Sequence, residues 1–291
     1  MIAAFSFRDR NSVMNRLDPR ARWIFSLAYT LAMMLSWDWR IITPLFILGV
    51  VWYSMADLSF KETRRSWMMV SMMLFMMVLV NTILTGGGAG RIVPVTQNHI
   101  WAHDFQILGR SIHFGLTADR LWFAICQLMR ILGISLVFLV IPFSMDTRAY
   151  GVTFSRLGLP DKGAYTIELA MRFLPTLMLN MNTTLDAQKA RGYEIEKVKG
   201  GIIKRMARVA PFLVPVTMNA ISSSEDVADA MDLRGFGTQK RSWLYLLNWK
   251  PWDTFVVVLG LLAFAAVLLL VTLRGMGAFV TPAWFLRALG F

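Results

Sequence analysis

The stretch TFVVVLGLLAFAAVLLLVTL, Thr254 to Leu273, runs for twenty residues without a charge. A helix rises about 1.5 Å per residue, so this segment reaches about 30 Å, the thickness of a bilayer's hydrocarbon core. Trp67 to Leu84 and Leu121 to Phe143 pass the same test. Trp23 to Trp37 and Ile41 to Met55 are shorter, but Arg20, Arg22, Arg40 and the flanking tryptophans can snorkel or sit at the interface and lengthen them. These two read as a tight hairpin turning at Trp37-Asp38-Trp39-Arg40; the alternative is one bent interfacial segment. The fold class expected is an all-α polytopic membrane protein of about five transmembrane helices.

Composition agrees. Of 291 residues 56% are hydrophobic and 16% charged, against about 45–50% apolar and a quarter charged in a soluble domain. One cysteine, Cys126, cannot close an internal disulfide, and three histidines with one thiol give no zinc module. The start Met-Ile-Ala-Ala-Phe meets Arg8, Asp9 and Arg10 before any long apolar run, so it does not read as a cleavable signal peptide. The +12 net charge orients the spans: with the N-terminus in the cytoplasm, Arg8, Arg10, Arg16, Arg20 and Arg22 lie inside. So do Lys61, Arg64 and Arg65 in the loop between the second and third spans. This makes the chain a multi-pass protein of the cell membrane.

The organisation expected is three regions. Residues 1–143 hold four spans and an external loop at 85–119, residues 144–251 a cytoplasmic helical coupling region, and residues 252–291 the last span and tail. The loop opens with Gly86-Gly87-Gly88-Ala89-Gly90, read as a flexible exit from the membrane, and contains His99, His103 and His113. In 144–251 the amphipathic stretches are punctuated by Pro160, Pro175, Pro211 and Pro215, which predicts several helices at angles and no strands.

That region repeats a motif. Asp186-Ala187-Gln188-Lys189-Ala190-Arg191-Gly192-Tyr193 aligns with Asp229-Ala230-Met231-Asp232-Leu233-Arg234-Gly235-Phe236. Glycine at each end suits a left-handed helix stop, and arginine in the last turn complements the helix dipole, which is a purely structural reading. Two copies on one membrane side suggest more. A guanidinium offers a planar fork to carboxylates, and the aromatic neighbour supplies buried area. The pair reads as a two-pronged plug for a cytoplasmic partner with two equivalent sockets.

These residues resemble the transmembrane T component of energy-coupling factor transporters, the EcfT/CbiQ family, marked by two Ala-Arg-Gly signatures on long coupling helices. Ala190-Arg191-Gly192 matches outright; Leu233-Arg234-Gly235 departs by leucine for alanine. Leu17-Asp18-Pro19-Arg20, Met171-Arg172-Phe173-Leu174-Pro175 and Arg156-Leu157-Gly158-Leu159-Pro160 extend the similarity over residues 15–270, and 85–119 shows no matching pattern. The resemblance implies a non-catalytic subunit that joins two cytoplasmic ATP-binding ATPase subunits, alike or different, to one substrate-binding membrane subunit. Arg191 and Arg234 would each dock one ATPase, and Asp18, Pro19, Arg20, Arg172 and Pro175 would be structural or coupling residues. The cargo would be a vitamin or a transition-metal ion such as cobalt or nickel. No cofactor and no resident metal is implied. The chain has no G-x-x-x-x-G-K-[ST] phosphate loop, so ATP hydrolysis belongs to other chains.

Other candidates compete with plainer readings. His99 and His103, four residues apart, would share a helix face and bind a divalent metal, yet an ordinary external loop fits them better. Arg130, inside the fourth span, serves either an internal pairing or the contact with the substrate subunit. The pairs Met68-Met69, Met72-Met73 and Met76-Met77 make an adaptable packing wall in preference to a soft-metal site. A polytopic membrane enzyme would need an acid/base or nucleophile cluster at the cytoplasmic face, and none is visible. A nucleic-acid anchor is disfavoured too: fifteen Lys+Arg between Phe143 and Pro251 are interleaved with ten Asp+Glu.

Overall fold

The computed structural model describes residues 12–79, 99–107, 110–192, 202–238, 242–275 and 277–288. In chain order the elements are α1 (Val13–Arg16), α2 (Pro19–Leu35), α3 (Trp39–Ser54), α4 (Phe60–Leu79), β1 (His99–Ile107), β2 (Arg110–Thr117) and α5 (Ala118–Ser144). They continue with α6 (Tyr150–Arg156), α7 (Asp161–Ala190), α8 (Ile202–Leu233), α9 (Pro251–Arg274) and α10 (Ala283–Ala288). Two compact units result, one holding 146–247 and the other the rest of the described chain.

The larger unit starts where capping chemistry predicts. Asp18 is the N-cap of α2, accepting from the Arg20 N–H at 2.9 Å, with Pro19 at the first helical position. Asp38 caps α3 in the same way, accepting from the Arg40 N–H at 2.9 Å. The short first pair is therefore two separate helices joined through Ser36–Asp38. α5 and α9 are each long and apolar enough to cross a membrane, and α3 is a shorter apolar helix. Along α9, Phe255, Val258, Leu259, Leu261, Leu262, Leu268, Leu269 and Leu273 are all exposed. Such a surface is untenable in water and ordinary in lipid. The chain is a helical polytopic membrane protein.

α2 is the hub. Phe25 stacks on Trp52 of α3 with ring centroids 4.0 Å apart, and the Tyr29 hydroxyl donates to the Leu45 carbonyl at 3.0 Å. Small residues admit these rings. A Cβ on Gly260 of α9 would stand 2.9 Å from Phe25 Cδ2, and one on Gly133 of α5 would stand 2.7 Å from the Tyr29 hydroxyl. Contacts at the helix ends fix direction. The Asp18 N–H donates to Asp253 at 2.7 Å, and the Trp37 N–H donates to the Gly277 carbonyl at 3.2 Å, so α2 and α9 run parallel. Arg22 near the start of α2 reaches Ser144 at the end of α5, and Arg130 reaches back to Ser36, so α2 and α5 are antiparallel. Alternating spans require this sorting of ends.

Three expectations change. The segment 85–119 is not all loop, since 99–117 contains the antiparallel pair β1–β2, with Asp104 opposite His113 and His103 opposite Phe114. On a strand the four steps from His99 to His103 cover about 13 Å, so the two do not share a helix face. Prolines 175, 211 and 215 do not break their helices either: α7 runs through Pro175 and α8 through Pro211 and Pro215. A proline removes one N–H bond of a long ladder, and a helix of thirty residues absorbs that loss. Pro160 alone marks a boundary, as the N-cap position of α7. Finally, Arg22 does not snorkel; it is 4% exposed and donates to the Ser144 carbonyl at 2.6 Å, Ser144 Oγ at 2.7 Å and the Leu17 carbonyl at 3.0 Å. Gly86 to Gly90 lie outside the described residues, as does the end of the third span beyond Leu79.

Candidate coupling surface

Within 146–247 the two copies of the repeated motif each end a helix at a left-handed glycine, and Tyr193 of the first copy lies outside the described residues. Arg191 is the C-cap of α7, and Gly192 follows at φ +81° with its N–H donating to the Lys189 carbonyl at 2.9 Å. Arg234 follows Leu233, the last residue of α8, and Gly235 sits at φ +64°. The Gly235 N–H donates to the Asp232 carbonyl at 2.9 Å and the Phe236 N–H to the Met231 carbonyl at 3.0 Å, the paired bonds of a Schellman stop. Both glycines occupy the left-handed region, where a Cβ is strained. The structural reading of the glycines is thus correct as far as it goes. It leaves both arginine side chains, with Ala190 and Leu233, on exposed surface; Leu233 is 90% exposed.

The second corner is braced. The Phe236 ring lies 4.7 Å from that of Tyr165 near the start of α7, and Lys162 Cε is 3.1 Å from where a Cβ on Gly237 would stand. The two corners therefore lie near opposite ends of α7, about 40 Å apart at 1.5 Å per residue from Tyr165 to Arg191. A groove of about 550 Å³ adjoins the second corner, walled by Tyr165, Phe236, Trp243 and Leu244 with Asp161, Lys162 and Glu168 at its polar edge. Burial pushes the Glu168 carboxyl above the ordinary carboxylate range, and Arg172 one turn on partly opposes that. Glu168 also meets Gly151 of α6 closely; a Cβ there would lie 2.6 Å from its Oε2. Tyr165, Lys162 and Glu168 escaped sequence reading, because nothing local tells which helix start will lie against the end of α8.

The remaining site residues are placed in the larger unit or along α7. Asp18 is 4% exposed and binds Arg20 through both oxygens, Nε at 3.0 Å and Nη2 at 2.8 Å. Arg172 and Pro175 are exposed on α7. Arg130, 7% exposed, donates to the Ser36 carbonyl that ends α2 and lies 3.8 Å over the Trp37 ring. That is an internal pairing. Asp253 was missed altogether: it is fully buried in the first turn of α9 and accepts from the Asp18 and Lys250 N–H groups, each at 2.7 Å.

The family model described as CbiQ, cobalt transport protein, matches residues 10–244. The chain belongs to the CbiQ family. Curated relatives carry the name energy-coupling factor transporter transmembrane protein EcfT. The one from Macrococcus caseolyticus is 27% identical over 85% of this chain and 90% of its own length. That from Lacticaseibacillus paracasei is 26% identical over 89% and 94%. A third, from Limosilactobacillus fermentum, is 37% identical over a shorter stretch, 37% of this chain and 41% of its own. The family match takes in both Arg-Gly corners and every span except the last. This CbiQ-family chain is a transmembrane component of energy-coupling factor transport.

Proposed function

We propose that the chain is the non-catalytic scaffold and coupling subunit of an ATP-driven uptake transporter. It lies in the cell membrane with its N-terminus and the helices of 144–251 in the cytoplasm. Two ATPase subunits, identical or different, each receive one Arg-Gly corner. A separate membrane subunit binds the cargo, a vitamin or a transition-metal ion such as cobalt or nickel, and reorients when ATP hydrolysis moves the coupling helices. The observation that carries this reading is the duplicated, exposed arginine at two Gly-terminated helix ends about 40 Å apart, taking 1.5 Å per residue along α7. That span exceeds one small binding groove and suits two subunits side by side. Arginine fits the role because its fork engages carboxylates bidentately while the preceding Ala190 or Leu233 adds apolar contact.

Mechanical logic follows from the bracing. A force on Arg234 reaches α7 through Phe236 against Tyr165, and Arg191 sits at the other end of that same helix. α7 thus ties the two docking points together. The test is co-purification of the chain, coexpressed with the ATPase subunits of its own cell, for wild type and Arg191→Glu/Arg234→Glu. Wild type retains nucleotide-binding subunits and the double variant loses them while eluting as a folded protein. Equal retention by both would remove the arginines from docking.

A further inference from the structure

Where α2 and α9 begin, positive charge and exposed indole share one surface of the larger unit. Arg16, the last residue of α1, is exposed, and so is Lys250, the residue before α9. Lys250 Nζ donates to the Arg16 carbonyl at 3.3 Å, which brings the two cationic residues together. The Arg20 guanidinium lies 5.1 Å over the Trp249 ring, and Trp249 Nε1 donates to Thr254 Oγ1 at 2.7 Å, so that indole is held from two sides. Trp249 is 44% exposed and Trp252 71%, the latter edge-on to Phe255 at 5.9 Å.

Among the described residues two acids, Asp18 and Asp253, lie beneath this surface, and both are engaged. Asp18 is buried and paired with Arg20. Asp253 is buried, one oxygen taking the Asp18 N–H and the other the Lys250 N–H. Arg20 therefore serves Trp249 and Asp18, while Arg16 and Lys250 present their charge outward. The surface is continuous with α9, which enters the bilayer directly after it. Tryptophans at that boundary sit at headgroup level, and lysine or arginine beside them attracts anionic lipid.

We propose that Arg16 and Lys250, seated beside Trp249 and Trp252, form a binding site for the headgroup of an anionic phospholipid. The cations take the phosphate, and the indoles occupy the boundary between headgroup and acyl chain, a contact that a free phosphate ion cannot use.

The test uses the full chain in nanodiscs of phosphatidylglycerol and phosphatidylcholine in equal parts, with retained lipids counted by native mass spectrometry. Wild type retains phosphatidylglycerol preferentially. Arg16→Gln/Lys250→Gln lowers that preference about 25-fold, a factor of about five per charge, and Arg16→Lys/Lys250→Arg, which keeps the charges at the same positions, preserves it. Inorganic phosphate in excess leaves the retained lipid in place. No preference in wild type, full preference in the glutamine variant, loss in the charge-preserving variant, or displacement by phosphate would each overturn the assignment.

Discussion

Asp253 shows how one carboxylate can join distant parts of a membrane protein. It is fully buried, and its two oxygens accept the N–H of Lys250, three residues away, and that of Asp18, 235 residues away. The first bond is ordinary capping of α9; the second ties the start of α9 to the start of α2. Asp253→Ala strands both donors, at about 1–3 kcal/mol each. The expected outcome is a lower melting temperature of the purified chain in detergent, with Asp253→Asn, which keeps one acceptor, falling between variant and wild type. An alanine variant as stable as wild type would remove the network from the account. Arg130 and Arg22 follow the same logic from the cationic side, since each buried guanidinium donates to a carbonyl at a helix end. Of these residues, Asp18 stood out in the sequence only through the resemblance carried by Leu17-Asp18-Pro19-Arg20, although an Asp-Pro before an apolar run is also a local helix-start signal. It also flagged Arg130 as an expensive charge within a span. The partners were not legible, because they are set by which helix ends meet.

Elements were more readable than contacts. The apolar runs became α2, α3, α5 and α9, and the tryptophan-rich turn became the Asp38-capped entry to α3. The β1–β2 pair has its period in the sequence: Trp101, Phe105 and Ile107 alternate with Ala102, Asp104 and Gln106, and Ile112, Phe114 and Leu116 with His113, Gly115 and Thr117. That repeat of two, and not the four-residue spacing of His99 and His103, is what the paired strands follow. The prolines of α7 and α8 misled in the opposite direction, since their local cost is outweighed by the rest of each long helix. Helix packing yields a prediction of its own. α2 and α9 approach at Gly260, where a Cβ would come within 2.9 Å of Phe25 Cδ2 and 3.3 Å of its Cα. Backbone cannot move aside as a side-chain tip can, so Gly260→Ala should destabilise the chain by about 1–3 kcal/mol. Gly163→Ala, whose Cβ would meet Leu159 only at 3.5 Å, should melt close to wild type. Equal melting of the two variants would contradict the close α2–α9 approach.

For the whole molecule, two compact units result, and in the proposed function the larger one anchors the chain in lipid while 146–247 offers its helix ends to partners. The repeat was legible from sequence because both copies carry their own stop signal, Arg-Gly-aromatic, and each stop formed where it was expected. Their separation was not legible. It depends on Phe236 lying against Tyr165, which puts the second corner at the start of α7 while Arg191 closes its end. Family membership adds a transport complex to this geometry, and the central claim is that the two corners meet two ATPases. The direct test is a photo-crosslinking amino acid placed separately at 191 and at 234 in the assembled complex, with the captured chain identified by mass. Each position is predicted to capture an ATP-binding subunit, and both together to link two such subunits, identical or different, to one scaffold. Capture of the substrate-binding membrane subunit, or of lipid alone, at either position would contradict the account.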